Sequence, residues 1–286
     1  MYQNKKNQFL DVSIVTYDTG LPDLINCMSS VVRSLKHLRD HLPGIHTSLI
    51  LVDNSASSFL DHNSFKPLQE SLNEAHCELK IIQGHGNVGY GKAHNLAYLN
   101  RTARYHLFMN PDVLTEPESL SHGIKYLEKN ADVGMVSPYA ADMMGAKQFL
   151  CKRYPTVFDL FARGFLPKTI EKIFNKRLAE YEMQELSEST PTKGIPIVSG
   201  CFMLCRKNSI NSISGFDPDF FMYFEDFDFS IRIGKINSIA YLPHVKIRHG
   251  GGSASKKGYR HIGYFIASAI RFYSKYKWSW ISRSSI

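Results

Sequence analysis

Between Asp11 and Val136 short β-branched runs alternate with segments of helical spacing, and that alternation leaves few architectures open to the chain. Asp11-Val-Ser-Ile-Val-Thr-Tyr17 reads as a first strand, and its apolar residues do not strictly alternate, so burial on both faces is expected. Leu24, Ile25, Met28, Val31, Val32, Leu35 and Leu38 then recur at helical spacing until Pro43-Gly44 ends the helix. Thr47 to Asp53 is a second strand, a weaker helical segment lies near Leu68 to Ala75, and Leu79 to Ile82 is a third strand. This β-α-β-α-β order predicts an α/β fold with a mostly parallel central sheet flanked by helices.

After the third strand the glycine-rich Gly84 to Lys92 opens a helix through Ala93, Leu96 and Ala97. Tyr105 to Met109 is a fourth strand that runs into Asn110-Pro-Asp112, followed by a helix from Glu116 to Lys129 and a fifth strand, Val133 to Val136. Ligands of open parallel sheets bind beyond the carboxyl ends of the strands, where Asp53, the glycine loop and Asp112 all fall. From residue 140 to about 195 the pattern loosens into a partly helical excursion with basic residues around apolar clusters and a polar loop, Glu185 to Pro191. Strand character returns from Ile197 to Cys205, then at Ser238 to Leu242 and Val245 to His249. A loop, Gly250 to Lys257, leads into a final helix from about Tyr259 to Lys275.

The segment from Gly215 to Arg232 threads five acids, Asp217, Asp219, Glu225, Asp226 and Asp228, through a run of aromatic residues. Phe229, Ile231 and Ile233 follow with an amphipathic pattern, so a loop feeding a helix is expected. A helix N-terminus favours an ionised carboxylate while apolar neighbours raise its pKa, a conflict that tunes a general base. An acidic helix start packed by ordinary core phenylalanines fits the same residues.

The 286 residues suffice for a large core, and 43% apolar with 21% charged residues is ordinary for a globular protein. No apolar run approaches the ~20 residues that span a bilayer, and the first residues carry no signal-peptide core, which argues for the cytoplasm. Five scattered cysteines without metal spacing fit a reducing compartment. The formal charge of +8 does not form the single basic block expected of a nucleic-acid binder. Near the C-terminus, Arg271, Lys275 and Lys277 alternate with Phe272, Tyr273, Tyr276, Trp278 and Trp280. That mixture suits the surface of an anionic membrane, and equally a solvated helix whose aromatics dock on the core.

Several constellations sit at the ligand edge. Gly84-x-Gly86-x-x-Gly89 matches a dinucleotide fingerprint, but two βα units precede it where the fingerprint belongs after the first strand. Asp53 can cap the turn at Asn54-Ser55 or accept hydrogen bonds from a pyrimidine or ribose. Asn110-Pro-Asp112 reads as a turn, or as one carboxylate that with diphosphate oxygens would complete the shell of Mg²⁺ or Mn²⁺. His249, before three glycines, is either a polar strand end or a ligand.

Taken in order, Val12 to Tyr17, Val52 to Ser55, Gly86-Asn-Val-Gly-Tyr-Gly91 with Asn95, Asn110-Pro-Asp112, Val198-Ser-Gly200, Gly215 to Asp228 with Arg232, and His249-Gly-Gly-Gly-Ser resemble family 2 glycosyltransferases. The resemblance is strongest to the rhamnosyltransferase-like branch that builds bacterial surface polysaccharide, such as O-antigen, and covers about residues 11 to 275. It implies a GT-A fold and an inverting transfer from a nucleotide sugar, with dTDP-rhamnose favoured over UDP- or GDP-sugars. The acceptor implied is a polyprenyl-diphosphate-linked saccharide at the inner membrane surface. By the same resemblance residues 1–255 form the nucleotide-sugar-binding and catalytic domain, residues 140–195 its acceptor side, and residues 256–286 a C-terminal basic and aromatic helix. Thr16, Tyr17, Asp53, Asn87, Gly89, Asn95, Asn110 and Asp112 would bind the nucleotide sugar. Asp226, paired with Glu225, would be the base, and Asp112 and His249 would hold a divalent cation. Asn110 stands where the commoner Asp-x-Asp motif has its first acid, which bears on metal dependence, and Asp18 stands where an Asn often follows the tyrosine. A nucleotide-sugar-binding protein without turnover is the reading from another class.

Overall fold

A computed structural model of the chain describes residues 8–56, 60–99, 101–165, 172–250 and 259–281. The first half runs β1 (Gln8–Thr16), α1 (Leu21–His41), β2 (His46–Asp53), α2 (Gln69–Glu74), β3 (Cys77–Ile82), α3 (Tyr90–Tyr98), β4 (Tyr105–Met109), β5 (Val113–Thr115), α4 (Ser119–Lys129) and β6 (Val133–Ala141). The second half runs β7 (Lys147–Gln148), β8 (Cys151–Lys152), α5 (Val157–Phe165), α6 (Asn175–Tyr181), β9 (Thr192–Lys193), β10 (Ile197–Val198), β11 (Phe202–Arg206), α7 (Lys207–Ser212), α8 (Glu225–Gly234), β12 (Ser238–His249) and α9 (Tyr259–Tyr276).

The expected parallel sheet is present. Its order is β3-β2-β1-β4-β11-β6-β12-β5, with β7 beside β6 and β9 beside β12. β1, β2, β3 and β4 are mutually parallel, as are β6 and β12. The apolar stripe of α1, Leu24, Cys27, Met28, Val31, Val32, Leu35 and Leu38, is buried as its spacing predicted. Strand order reverses at β1, which has β2 on one side and β4 on the other. That is the switch point at which an open α/β sheet leaves a crevice beyond its carboxyl ends.

The structure corrects three readings. Ile197 to Cys205 is not one strand: β10 pairs with β8 in a separate small sheet, and only β11 enters the main sheet, antiparallel between β4 and β6. Continuous apolar character could not distinguish one strand from two, because Ser199-Gly200 interrupts the pairing and not the hydrophobicity. Conversely, the two short strands near the end are a single β12, whose register shifts between Leu242 and Lys246. Pro243 sits in that irregularity, where its missing N–H removes no ladder bond. Residues 113 to 115, next to the predicted Glu116 start of a helix, form β5 on β12, and α4 begins only at Ser119. The excursion after residue 140 is partly helical, as expected, while most of the loop from Gly250 to Lys257 lies outside the described residues.

Helix α8 lies against the sheet through Phe229, whose ring stacks on Phe216 at 4.4 Å and meets Phe108 of β4 edge-on at 5.6 Å. All three rings are buried. Because this packing sets the height of α8 over the strand ends, Phe229→Ala should destabilise the protein by about 4 kcal/mol in urea unfolding. A loss below about 1 kcal/mol would mean that α8 is held elsewhere.

Candidate functional site

Three strand ends meet at the switch point. At the end of β2, Asp53 and Asn54 are almost fully buried. Asp53 Oδ1 accepts the Ser55 N–H at 2.9 Å, so the turn-capping role open from the sequence is realised. The Asn54 N–H donates to the Thr16 carbonyl at 2.9 Å, and its side-chain amide donates to the Gly89 carbonyl at 3.2 Å. The ends of β1 and β2 and the glycine loop are thereby tied together, with Thr16 buried and the ring of Tyr17 54% exposed beside them.

The glycine loop has a packing task of its own. Asn87 Oδ1 accepts the Gly89 N–H at 3.1 Å, and Gly89 has φ +87°. A Cβ on Gly89 would lie 2.2 Å from the carbonyl oxygen of Phe221, and the Tyr90 N–H donates to that same oxygen at 3.0 Å. Only glycine permits both the backbone angle and the approach. The third glycine thus seats the acidic segment on the N-terminus of α3, a role the dinucleotide fingerprint does not describe. Asn95 belongs to the same seam. Its amide oxygen accepts the Phe216 N–H at 2.9 Å and its nitrogen donates to the Phe216 carbonyl at 2.8 Å. Expected in the nucleotide pocket, it instead clamps the start of the acidic segment, since both ends of its amide are committed there.

The five acids divide into two groups. Asp217 and Asp219 pair with Lys275 at 2.6 Å and Arg271 at 3.0 Å on α9. Asp228, fully buried, pairs with Arg232 at 2.6 Å and Lys275 at 2.6 Å and accepts the Tyr276 hydroxyl at 2.7 Å. Arg232 also donates to the carbonyls of Ile213 and Gly215, so it holds the acidic segment in place. These three acids are structural.

Glu225 and Asp226 are the other group. Tyr223 and Phe224 before them both adopt left-handed backbone angles, φ +68° and +64°, which turns the chain sharply into α8. Asp226 Oδ2 accepts the Gly200 N–H at 2.8 Å and Oδ1 accepts the Phe227 N–H at 2.9 Å. Burial pushes the Asp226 carboxyl up to about 6, against the pull of those N–H groups. Glu225 is raised well above the usual carboxylate range by burial and then by the Asp226 charge. Its Oε2 is buried without a hydrogen-bond partner among the described residues. Two adjacent carboxyls of different acidity result, with Asp226 the one ionised near neutral pH.

At the third strand end, the Asn110 N–H donates to the Cys201 carbonyl at 3.0 Å, and the Asp112 carbonyl accepts the Gly250 N–H at 2.9 Å. Asp112 Oδ1 is buried and has no hydrogen-bond partner among the described residues. It lies 3.6 Å from Nε2 of His249. Gln148 Nε2 donates to the His249 carbonyl at 3.0 Å, which turns Gln148 Oε1 toward His249 Nδ1 at 2.9 Å. Gln148 Oε1 thereby holds a proton on Nδ1 and leaves Nε2 turned toward the Asp112 carboxylate. With Nε2 unprotonated, that nitrogen and the carboxylate oxygen would form a donor set for a divalent cation, with Gln148 fixing the imidazole tautomer. Among the described residues no cluster of three or more His, Cys, Asp or Glu side chains forms a closed metal cage. Diphosphate oxygens would have to supply the remaining ligands.

The Asp112–His249 pair and Asp226 share a neighbourhood. The Cys201 thiol, raised to about 12 by burial, also feels the charges of Asp112 and Asp226. The Tyr90 hydroxyl, raised well above its ordinary range by burial and then by nearby charges including Glu225, Asp226 and Asp112, donates to the Gly200 carbonyl at 2.6 Å. Sequence reasoning assigned no role to Gly200, Tyr90 or Gln148, and read Lys275 only as part of the basic and aromatic C-terminal segment. Gly200 and Tyr90 stood inside recognisable motifs, whereas nothing around Gln148 marks it.

Residues 11–213 match the family model described as glycosyl transferase family 2. The chain is 24% identical over 225 residues to an N-acetylglucosaminyl-diphospho-decaprenol L-rhamnosyltransferase of Mycobacterium tuberculosis, covering 73% of this chain and 71% of that one. It is 23% identical over 257 residues to the rhamnosyltransferase WbbL of Escherichia coli K12, covering 84% of each. Among solved structures it resembles the mannosyltransferase PcManGT of Pyrobaculum calidifontis in complex with GDP-Man and Mn²⁺, with TM-score 0.56, 16% identity and coverage of 93% of this chain and 65% of that one. It also resembles GalNAc-T7 with UDP, GalNAc and Mn²⁺, with TM-score 0.57, 13% identity and coverage of 86% and 44%. The chain thus spans less than two thirds of either solved chain. With a GT-A-like sheet, a family model matched over most of its length and two rhamnosyltransferases among its distant relatives, this chain belongs to glycosyl transferase family 2 and is a glycosyltransferase.

Proposed function

We propose that this glycosyltransferase moves L-rhamnose, with inversion, from dTDP-rhamnose to a saccharide carried on a polyprenyl diphosphate at the cytoplasmic face of a membrane. The reading rests above all on Asp226, a carboxylate tuned upward by burial yet held in one orientation by the Gly200 N–H, beside the ligand edge of the sheet. The rhamnose is supported by both distant relatives, which are rhamnosyltransferases, and the prenyl-linked acceptor by the mycobacterial one, which acts on an N-acetylglucosaminyl-diphospho-decaprenol.

In this mechanism the nucleoside lies across the ends of β1 and β2. Asp53 accepts hydrogen bonds from the base or ribose, and the exposed ring of Tyr17 offers a stacking face. Asn87, Gly89 and Asn110 line the adjoining edge. Asp112 and His249 would hold Mg²⁺ or Mn²⁺, which when bound supplies Lewis acidity to the diphosphate leaving group. Asp226 takes the proton from the acceptor hydroxyl as that oxygen bonds to the anomeric carbon and the bond from that carbon to the diphosphate oxygen breaks. The carboxylic acid then returns its proton to solvent. Inversion follows from a single displacement and requires no nucleophile from the protein. Glu225, kept neutral, adds no second negative charge beside the base.

Asp226→Asn should lower turnover by about 10² to 10⁴-fold while donor binding persists, whereas Glu225→Gln should keep most of the activity. Normal turnover in the Asn variant would remove Asp226 as the base. Because the base must be ionised and its pKa in the free protein is raised to about 6 by burial, kcat/KM should climb as pH rises through about 6 and level off above it. A profile still rising steeply above pH 8 would point to another group. Titration calorimetry with dTDP, UDP and GDP, each with and without Mn²⁺, should find dTDP bound most tightly and strengthened by metal. His249→Ala should remove the metal enhancement and leave the metal-free affinity unchanged. A preference for UDP or GDP would keep the enzyme class and replace the donor.

A further inference from the structure

Helix α9 has two working faces. One carries Arg271 and Lys275, which pair with Asp219, Asp217 and Asp228, and Ser268, whose hydroxyl donates to the Met222 carbonyl at 2.8 Å. His261 on the same side meets the Tyr223 hydroxyl at 2.9 Å. This face grips the segment that presents Glu225 and Asp226. Roughly half a turn around the helix, Phe265, Ile266, Ala269, Ile270 and Tyr273 face Val157, Leu160 and Phe161 of α5 and Trp278 across a groove of about 280 Å³ with almost wholly apolar walls.

The rim of that groove is an exposed apolar ridge. Ile266, Ile270, Trp280 and Ile281 are 50 to 66% exposed, and Trp278 stacks on Trp280 at 5.6 Å with 47% of its own surface exposed. Such a run of large apolar side chains is uncommon on a face that meets only water. Exposed cations lie on the same elements and their neighbour: Lys277 precedes Trp278, Arg260 is on α9 and Lys176 is on α6, which packs on α5; none is ion-paired among the described residues. The one acid of α5, Asp159, is already paired with Arg177 at 2.6 Å, and on the other face of α9 Asp219 is paired with Arg271. Tryptophans at the level of the headgroups, aliphatic side chains below them and unpaired cations beside them are the composition of an interfacial membrane contact. No helix among the described residues is long and apolar enough to cross a membrane, so the contact is made from one side.

We propose that the α5–α9 face, with Trp278 and Trp280, docks on a bilayer containing anionic lipid. A single helix, about 10 Å thick, then separates the lipid from the acidic segment that presents the base. A saccharide attached to a membrane lipid would reach Asp226 without leaving the surface.

Trp278 and Trp280 are the only tryptophans in the chain, so its intrinsic fluorescence reports on this face directly. The full chain is mixed with phosphatidylcholine vesicles with and without phosphatidylglycerol, some carrying doxyl-labelled acyl chains. The expected result is co-sedimentation that needs phosphatidylglycerol and weakens with salt, a blue shift of the emission, and quenching by a shallow doxyl label. Ile266→Glu combined with Ile270→Glu, both at exposed positions, should lower vesicle binding by about tenfold and abolish the quenching. Far-ultraviolet circular dichroism and binding of nucleoside diphosphate check that the variant stays folded. Vesicle binding that survives the double substitution without quenching would place the membrane contact on another face and overturn the proposal. So would emission unchanged by vesicles, or a ridge that is instead covered in a dimer seen by sedimentation equilibrium. None of these readouts uses catalysis, so their failure and failure of the transferase reading are separate results.

Discussion

The fully buried carboxylate of Asp228 is the interaction on which the site's geometry depends. An unpaired charge at that depth would cost several kcal/mol, and the chain surrounds it with Arg232 one helical turn away and with Lys275 and Tyr276 from α9. Satisfying one carboxylate thus joins three parts of the molecule. The guanidinium reaches on to the Ile213 and Gly215 carbonyls, so the entry to the acidic segment is fixed by the same group that neutralises its buried end. Loss of one partner would leave the other charges unmatched together, and the helix that carries Asp226 would lose its anchor.

Around that anchor the segment is held against the sheet edge by contacts to main-chain atoms, which leave little room for side-chain drift. Gly89 and Tyr90 meet the Phe221 carbonyl, Asn95 brackets Phe216, and Gly200 donates to Asp226. The Asp226 carboxylate is accordingly both desolvated and oriented, the combination that raises its pKa and keeps it usable as an acceptor of protons. A strained turn at Tyr223 and Phe224 delivers it there. Strain of that kind persists only where the surroundings over-determine it, which the aromatic packing of Phe224 on Phe265 and Phe272 of α9 does.

Much of this was legible in the residues. The alternation up to Val136 identified the parallel sheet because a strand buried on both faces and a helix buried on one leave different periods. Asp53, Asp112 and the glycine loop could be placed at one edge because parallel strands all end on the same side. A loop feeding a helix that buries Phe229, Ile231 and Ile233 was readable for the same reason, although the helix begins at Glu225 and takes the last three acids into its first turn. What could not be read is partnership at long range. Ile197 to Cys205 looked like one strand because hydrophobicity does not reveal which strand lies alongside. Asn95 looked like a ligand residue because its polar character does not say that Phe216 occupies both ends of its amide. The basic and aromatic C-terminal segment left membrane and core docking open, and its inner face does dock on the acidic segment.

The sequence by itself determined the class of sheet, the edge at which the candidate site residues gather and the family, because these depend on local periodicity and on motif order along the chain. Only the tertiary structure decided which acids are neutralised by ion pairs and which is buried with no ion pair among the described residues. Asp217, Asp219, Asp226 and Asp228 are the same residue type within twelve positions, and what separates them is the company each acquires on folding. Lysine and arginine of α9 neutralise three of them, whereas the fourth is buried against the N–H groups of Gly200 and Phe227. A carboxylate's acidity is set by the charges and dipoles within a few ångströms, and folding brings those from distant parts of the chain.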